Sequence, residues 1–331
     1  MLDAVRRRGG LLLRILFSAL LLGVVLVYAD VSEVLRAVRD GDWGWFAVGT
    51  ALMAAAVAIG GIRWRVLLEG AGIGVARSRA IRVFAGAMIL NNVLPTSVGG
   101  DALRTWLVGK ESGRLLGAAA ATIVDRVTGV VFLFVLGWAA LAVDAESVPS
   151  SVVGVFAWVT LGLVAALAVA ALAAAGVRPV LHRLPERVAR LIREGWTTLR
   201  TWASSARLVA SLVTLGFAYQ VLAVLALVAV GKTVGLELSF ALAAVSVSIV
   251  LVAMLIPVSI GGLGVREGGF VLILAQADID AARATLLSLL GALAIVLASG
   301  VVIAAAAGSE VLRARVDRAR SPASERAAPG A

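Results

Sequence analysis

Two ten-residue stretches carry the residue types with which a protein could hold an anion. The first is Pro95-Thr96-Ser97-Val98-Gly99-Gly100-Asp101-Ala102-Leu103-Arg104, and the second is Pro257-Val258-Ser259-Ile260-Gly261-Gly262-Leu263-Gly264-Val265-Arg266. Both read Pro-x-Ser-aliphatic-Gly-Gly-x-x-aliphatic-Arg, and Glu267 follows the second. Gly-Gly after Ser97 or Ser259 lets the backbone turn sharply and approach a ligand. A half-helix starting near Asp101 or Val265 would point unpaired N–H groups and the positive end of its dipole at that ligand. Arg104 and Arg266 would add a planar, always-charged fork suited to phosphate oxygens. Either copy alone is weak, because Gly and Pro are ordinary in membrane helices and an Arg can snorkel to the interface. The repetition of the whole pattern, Gly99-Gly100 and then Gly261-Gly262, makes binding the better reading.

Other polar residues stand in apolar surroundings. Asp125-Arg126 interrupts the run from Leu115 to Val143. An ionised side chain at the bilayer centre costs about 2.5–3.5 kcal/mol on insertion scales, so this pair must face the bundle interior and find partners. Asp125 has Arg104 or Arg266 to choose from, and Arg126 has Asp101 or Glu267; a purely structural ion pair is the plainer alternative. Asn91 and Asn92 would hydrogen-bond a headgroup or join helices. Glu267 would either carry a proton or, the favoured reading, neutralise Arg266. Gln220 reads as interhelical glue, and Arg63-Trp64-Arg65 as the mark of a membrane interface. With no cysteine and a single histidine, His182, neither thiolate chemistry nor a His-centred metal site is expected, and no cofactor is implied.

The elements that must position these residues are membrane helices. Of 331 residues 61% are hydrophobic and only 15% charged, with a mean hydropathy of +1.02. Soluble chains are about 45–50% apolar and about 25% charged. The fold class expected is an all-α polytopic membrane protein. A net charge of +10 would suggest nucleic acid in a soluble protein; here the positive-inside bias explains it, and nucleic acid is not expected as a partner. Six full spans are predicted: Leu11–Ala29, about Trp43–Ile62, Leu115–Val143, about Val152–Ala175, Leu208–Val230 and about Leu286–Ala307. Two Gly/Pro-broken hairpins, over roughly 83–114 and 239–275, bring the total to seven or eight predicted helices.

Loop charges alternate. Residues 63–82 hold five Arg and one Glu, and 177–207 hold seven Arg and two Glu, whereas 30–42 hold four acids and two Arg. Basic loops face the cytoplasm, so both termini come out cytoplasmic, as expected of an inner-membrane protein. The hairpins then open to opposite sides, as an inverted-topology repeat requires. The domain expected over 11–307 is preceded by a short cytoplasmic start, 1–10. It contains an amphipathic cytoplasmic segment, 183–206, and ends in a disordered tail, 308–331.

Taken together, the motifs resemble a known family. Arg63-Trp64-Arg65-x-Leu67-Leu68, Asn91-Asn92-x-Leu94-Pro95-x-Ser97-x-Gly99-Gly100-Asp101-x-x-Arg104, Asp125-Arg126-x-x-Gly129 and Pro257-x-Ser259-Ile260-Gly261-Gly262-Leu263-Gly264-x-Arg266-Glu267 are similar to those of the lysylphosphatidylglycerol synthase transmembrane-region, or flippase-like domain, family. The resemblance implies about eight membrane segments. In the bifunctional synthases it also implies movement of aminoacylated phospholipid between leaflets. A soluble domain that attaches the amino acid is not seen after the last helix, so lysyl transfer is not expected of this chain.

A lipid flippase or transporter for an anionic amphipathic substrate is therefore the leading expectation: a phospholipid, an aminoacyl-phospholipid or a polyprenyl-phosphate-linked sugar. A membrane-embedded transferase or an accessory subunit of an envelope-lipid pathway are the alternatives. The partners expected are membrane lipids, with a second copy of the chain and an enzyme supplying the lipid as further partners such a protein would take.

Overall fold

A computed structural model of the chain describes residues 36–93, 99–177, 201, 202, 204–255 and 262–320. The first predicted helix, 11–29, and most of the amphipathic segment lie outside these residues. So do Ser97, Ser259 and Gly261.

The described residues are mostly helical, joined by short turns, and no strand occurs among them. In chain order the helices are α1 (Trp43–Gly70), α2 (Arg77–Val93), α3 (Gly99–Ser112), α4 (Leu115–Val143), α5 (Ser150–Val177), α6 (Ala206–Thr233), α7 (Phe240–Leu255), α8 (Val265–Leu274) and α9 (Ala281–Arg320). Five of them, α1, α4, α5, α6 and α9, are long and apolar enough to cross a membrane. The other four are the arms of the two broken hairpins. At ten residues, α8 is about 15 Å long, half of the roughly 30 Å hydrocarbon thickness.

Two sequence expectations are corrected. Helix α1 does not stop at Ile62; it runs on through Arg63-Trp64-Arg65 to Gly70. The apolar residues Val66, Leu67 and Leu68 continue its pattern, and the stop lies at Ala71-Gly72, where Gly72 takes a positive φ of 74°. Helix α9 does not stop at Ala307 either, and continues to Arg320. The tail expected from residue 308 thus begins as helix, since the Ser309–Arg320 stretch contains no Gly or Pro to end it.

Helix α1 sits at the centre of one half. Its Gly49 meets Val230 and the Ala226 carbonyl of α6, Gly60 meets Phe84 of α2, and Gly61 lies over the Ile81 backbone. Small residues let membrane helices approach closely enough for dispersion to hold them. Around this helix Val57, Trp64, Leu67, Phe84 and Ala121 form one buried cluster. A second gathers Phe134, Phe156, Val224, Leu242 and Leu287.

Helix α5 is peripheral, with Trp158, Leu161, Val164, Val169 and Leu172 all exposed. It is pinned by Phe156, fully buried against Gly137, with ring centroids 5.1 Å from both Phe134 and Trp138.

Contacts at the helix ends show which way each hairpin opens. At one end Arg114 donates to the Ala71 carbonyl at 3.3 Å, and Ser78 donates to Glu310 at 2.6 Å. At the other, Asp42 N donates to the Thr233 carbonyl at 3.1 Å. There Ser147 and Ser239 also join through hydroxyls 2.7 Å apart, and Ser151 donates to Gln276 at 3.1 Å. The α2–α3 hairpin, with Ser78 and Arg114 at its mouth, opens at the first end. The α7–α8 hairpin, with Ser239 and Gln276 at its mouth, opens at the second.

Candidate functional site

The hairpin breaks meet inside the bundle. Asn92, near the end of α2, accepts a hydrogen bond from Arg266 Nη1 on α8 at 3.2 Å. The other side chains of the two motifs fall into two charged clusters around this junction.

The first cluster is a ladder of alternating charge. Arg63 of α1 reaches Asp125 of α4, with Nε 2.9 Å and Nη2 2.7 Å from Oδ1. The other carboxylate oxygen, Oδ2, accepts from Arg104 Nη2 at 2.9 Å. Arg104 Nε lies 2.9 Å from Asp101 Oδ1 one turn back on α3. Asp101 Oδ2 in turn pairs with Arg126. Four of the five residues are 5% exposed or less, with Arg126 the exception. Aromatic faces complete the shell: Arg104 stacks over Trp64 at 5.0 Å and Phe84 at 4.9 Å, and Arg63 over Tyr219 at 5.5 Å. Buried charges hold together only when paired and hydrogen-bonded to this extent.

The second cluster is built on the start of α8. Gly262 and Gly264 take positive φ values of 80° and 82°, a conformation that side-chain-bearing residues rarely adopt. They swing the chain so that Glu267, fully buried, caps the Gly264 N–H through Oε2 at 2.6 Å. Its Oε1 accepts from Arg266 Nη2 at 2.7 Å and Ser288 Oγ at 3.2 Å. Arg266 also donates to Ser288 at 3.1 Å.

The α3 start is organised differently. Gly100 N donates to Asn91 Oδ1 at 2.8 Å, so α2 caps α3 across the break. This approach is too close for any side chain: a Cβ on Gly100 would collide with the Ala87 carbonyl and lie 2.7 Å from Asn91 Oδ1. Gly86, mid-helix in α2, has nothing within 4 Å of an added Cβ. Gly100→Ala should therefore lower the melting temperature of the purified protein. Gly86→Ala should raise stability by about 0.5–1 kcal/mol through helix propensity alone. Equal melting temperatures for the two variants would refute the close packing at the break.

Both clusters face one cavity of about 280 Å³, lined by Asn91, Asn92, Asp101, Arg104, Asp125 and Arg126 on one side and by Arg266 and Ser288 on the other. The rest of its wall is apolar, including Met53, Leu227, Val250, Met254 and Phe270. Arg63, Tyr219 and Gln220 line it as well. Among the candidates in the described residues, Gly99 opens α3 and Gly262 shapes the turn before α8, while Glu267 stands behind Arg266. Each of the two alternative pairings offered for Asp125 and Arg126 resolves to the first hairpin's own residues, Arg104 and Asp101.

Arg63 is what sequence reasoning missed. Its place beside Trp64 and Arg65 suggested an interface, but Arg63 and Trp64 are buried and only Arg65 is partly exposed, bonded to the Val75 carbonyl at 2.8 Å and paired with Glu69 at 2.6 Å. The usable signal was the apolar triplet after Arg65, which moves the helix end outward and leaves Arg63 inside. Gln220 does join helices, donating to the Gly129 carbonyl at 2.6 Å.

The family model for the lysylphosphatidylglycerol synthase TM region matches residues 11–306. The chain belongs to that family. The match spans every motif described above, and a multi-pass membrane protein is what the helices of this family member form. No curated protein and no solved structure matches the chain. Among the described residues of the family domain, no group of three or more His, Cys, Asp or Glu is placed to hold a metal ion.

Proposed function

We propose that the protein moves an anionic amphipathic lipid between the two leaflets of the cell membrane. The observation that carries this reading is the single cavity where two broken hairpins, opening at opposite ends of the bundle, bring arginines together among apolar walls. Discontinuous helices meeting at mid-membrane are where transporters bind their cargo. A volume of about 280 Å³ lies just below the range of ligand pockets, roughly 300–1,000 Å³. It suits a headgroup whose acyl chains stay in lipid. Arg104 and Arg266 contact the phosphate in alternating states, with Asp125, Arg126 and Glu267 balancing charge and Asn91, Asn92, Ser97 and Ser259 contributing polar contacts. The end carrying Ser78 and Arg114 is cytoplasmic by its charge, and the hairpins are the related halves of an inverted repeat.

A transferase would need an unengaged base near the headgroup. Asp101, Asp125 and Glu267 are each ion-paired, which favours transport over transfer. Purified protein in vesicles holding a fluorescent phospholipid should give bilayer translocation, read as loss of protection from an external quencher. Arg104→Ala and Arg266→Ala should abolish it while the protein still expresses, because Arg63 and Arg126 keep Asp125 and Asp101 paired in the first variant, and Ser288 and Gly264 still bond Glu267 in the second. Normal translocation in both variants would sink the site assignment, and covalent change of the labelled lipid would favour an enzyme.

A further inference from the structure

The acids at this cavity are committed and some of the donors are not. Asp125 gives one oxygen to Arg63 and the other to Arg104, and Asp101 divides itself between Arg104 and Arg126. Glu267 is held by Arg266, Ser288 and the Gly264 N–H. By contrast Arg63 Nη1, Arg104 Nη1 and Asn91 Nδ2 have no hydrogen-bond partner among the described residues. Their side chains belong to residues 3%, 2% and 8% exposed, and all three line the cavity. Arg63 and Arg104 hold opposite oxygens of one carboxylate through other nitrogens, which leaves each Nη1 uncommitted.

Donors buried without acceptors are costly, so these three at the cavity wall call for acceptors that the described chain does not itself supply. The charges agree. Four guanidinium groups (Arg63, Arg104, Arg126, Arg266) stand against three carboxylates (Asp101, Asp125, Glu267), leaving an excess of one positive charge.

We infer that the cavity selects a lipid phosphate whose headgroup is net negative, bound by Arg63, Arg104 and Asn91, and rejects a headgroup that carries an ammonium group. This rests on the transport reading and narrows its substrate class. A phosphate ester supplies the missing acceptors and cancels the excess charge. An ammonium brought to the same wall meets guanidinium groups and only carboxylates already paired, a repulsive element of the kind that creates specificity. Arg63 is thereby a binding residue as well as a strut for Asp125.

The test uses the full chain in phosphatidylcholine vesicles, with translocation of phosphatidylglycerol and lysyl-phosphatidylglycerol followed in parallel. Retention of each lipid by the purified protein is measured separately by native mass spectrometry. A polyprenyl monophosphate is a third probe, which tells a glycerophosphate source from a polyprenyl one. Phosphatidylglycerol or the polyprenyl phosphate should be moved and retained at least about tenfold better than the lysylated lipid, since meeting like charge costs several kcal/mol and about 1.4 kcal/mol is already tenfold. Asn91→Asp keeps the Oδ1 acceptor for Gly100 N, replaces the spare donor by an acceptor and brings the charge sum to zero. In this variant the preference should collapse or reverse. Equal handling of the anionic and lysylated lipids by the unmodified protein would overturn the inference, as would an unchanged ratio in folded Asn91→Asp. If no lipid crosses at all, the transport reading fails, and the retention ratio still decides the selectivity.

Discussion

Asp125→Ala should cost the protein about 3–5 kcal/mol, the range found when one partner of a buried ion pair is removed. Two guanidinium groups lose an anionic partner at once, since Arg63 and Arg104 hold opposite oxygens of this carboxylate and are 3% and 2% exposed. Arg104 would keep Asp101, and Arg63 would keep only the Asp125 main-chain carbonyl at 3.1 Å. The loss should appear as a fall in monodisperse yield on size-exclusion chromatography and in the unfolding temperature. Asp125→Asn should behave nearly as badly, because the side-chain shape is kept while the charge is not. Glu237→Gln is the comparison. It breaks a pair 3.8 Å apart whose carboxylate is 85% exposed, and exposed pairs contribute about 0–1 kcal/mol. Similar losses from Asp125→Ala and Glu237→Gln would show that the ladder does not hold α1, α3 and α4 together.

The second large effect is on transport. The chain has no cysteine, so a pair introduced at Ser147 and Ser239 would be its only thiols. Their hydroxyl oxygens face each other 2.7 Å apart, so sulfurs placed there need only a small side-chain adjustment to reach the roughly 2.05 Å of a disulfide. The bond would tie the loop after α4 to the start of α7, at the end where the second hairpin opens. If that hairpin must part from α4 to release a headgroup, oxidised Ser147→Cys/Ser239→Cys protein should lose most of its translocation, as when a motion that gates turnover is blocked. Reductant should restore it, and each single substitution should be silent. Full activity in the oxidised form, with the disulfide verified by mass shift, would mean that this end does not open during transport.

Much of the architecture was legible because hydropathy and Gly/Pro breaks are local properties. The runs at Leu115–Val143 and Leu208–Val230 correspond to α4 and α6 within a few residues. The breaks near Pro95 and Pro257 separate the arms of both hairpins. Helix ends were less legible. Arg63 looked like a terminus because charge usually marks one, yet its charge is absorbed by Asp125 from a helix 62 positions away in sequence. No single-helix pattern reveals such a partner. The same limit governs the site. Burial cost alone required Asp125 and Arg126 to be paired, and it named the candidates; choosing between them needed the packing of α3 on α4. The cap that Asn91 gives to Gly100 was likewise invisible, since it depends on how α2 and α3 lie across their break.

Among the described residues helix α5 supplies none that line the cavity, and Phe156 is its chief anchor. That gives the protein a division of labour in matching itself to the bilayer. Hydrophobic mismatch costs fractions of a kcal/mol per Å and is met by helix length, tilt or local bilayer deformation. On this fold, the exposed outer face of α5 can vary in length and apolar extent without replacing any described charged group of the cavity. The helix that contributes least to the site is thus the one most open to adaptation to lipid composition.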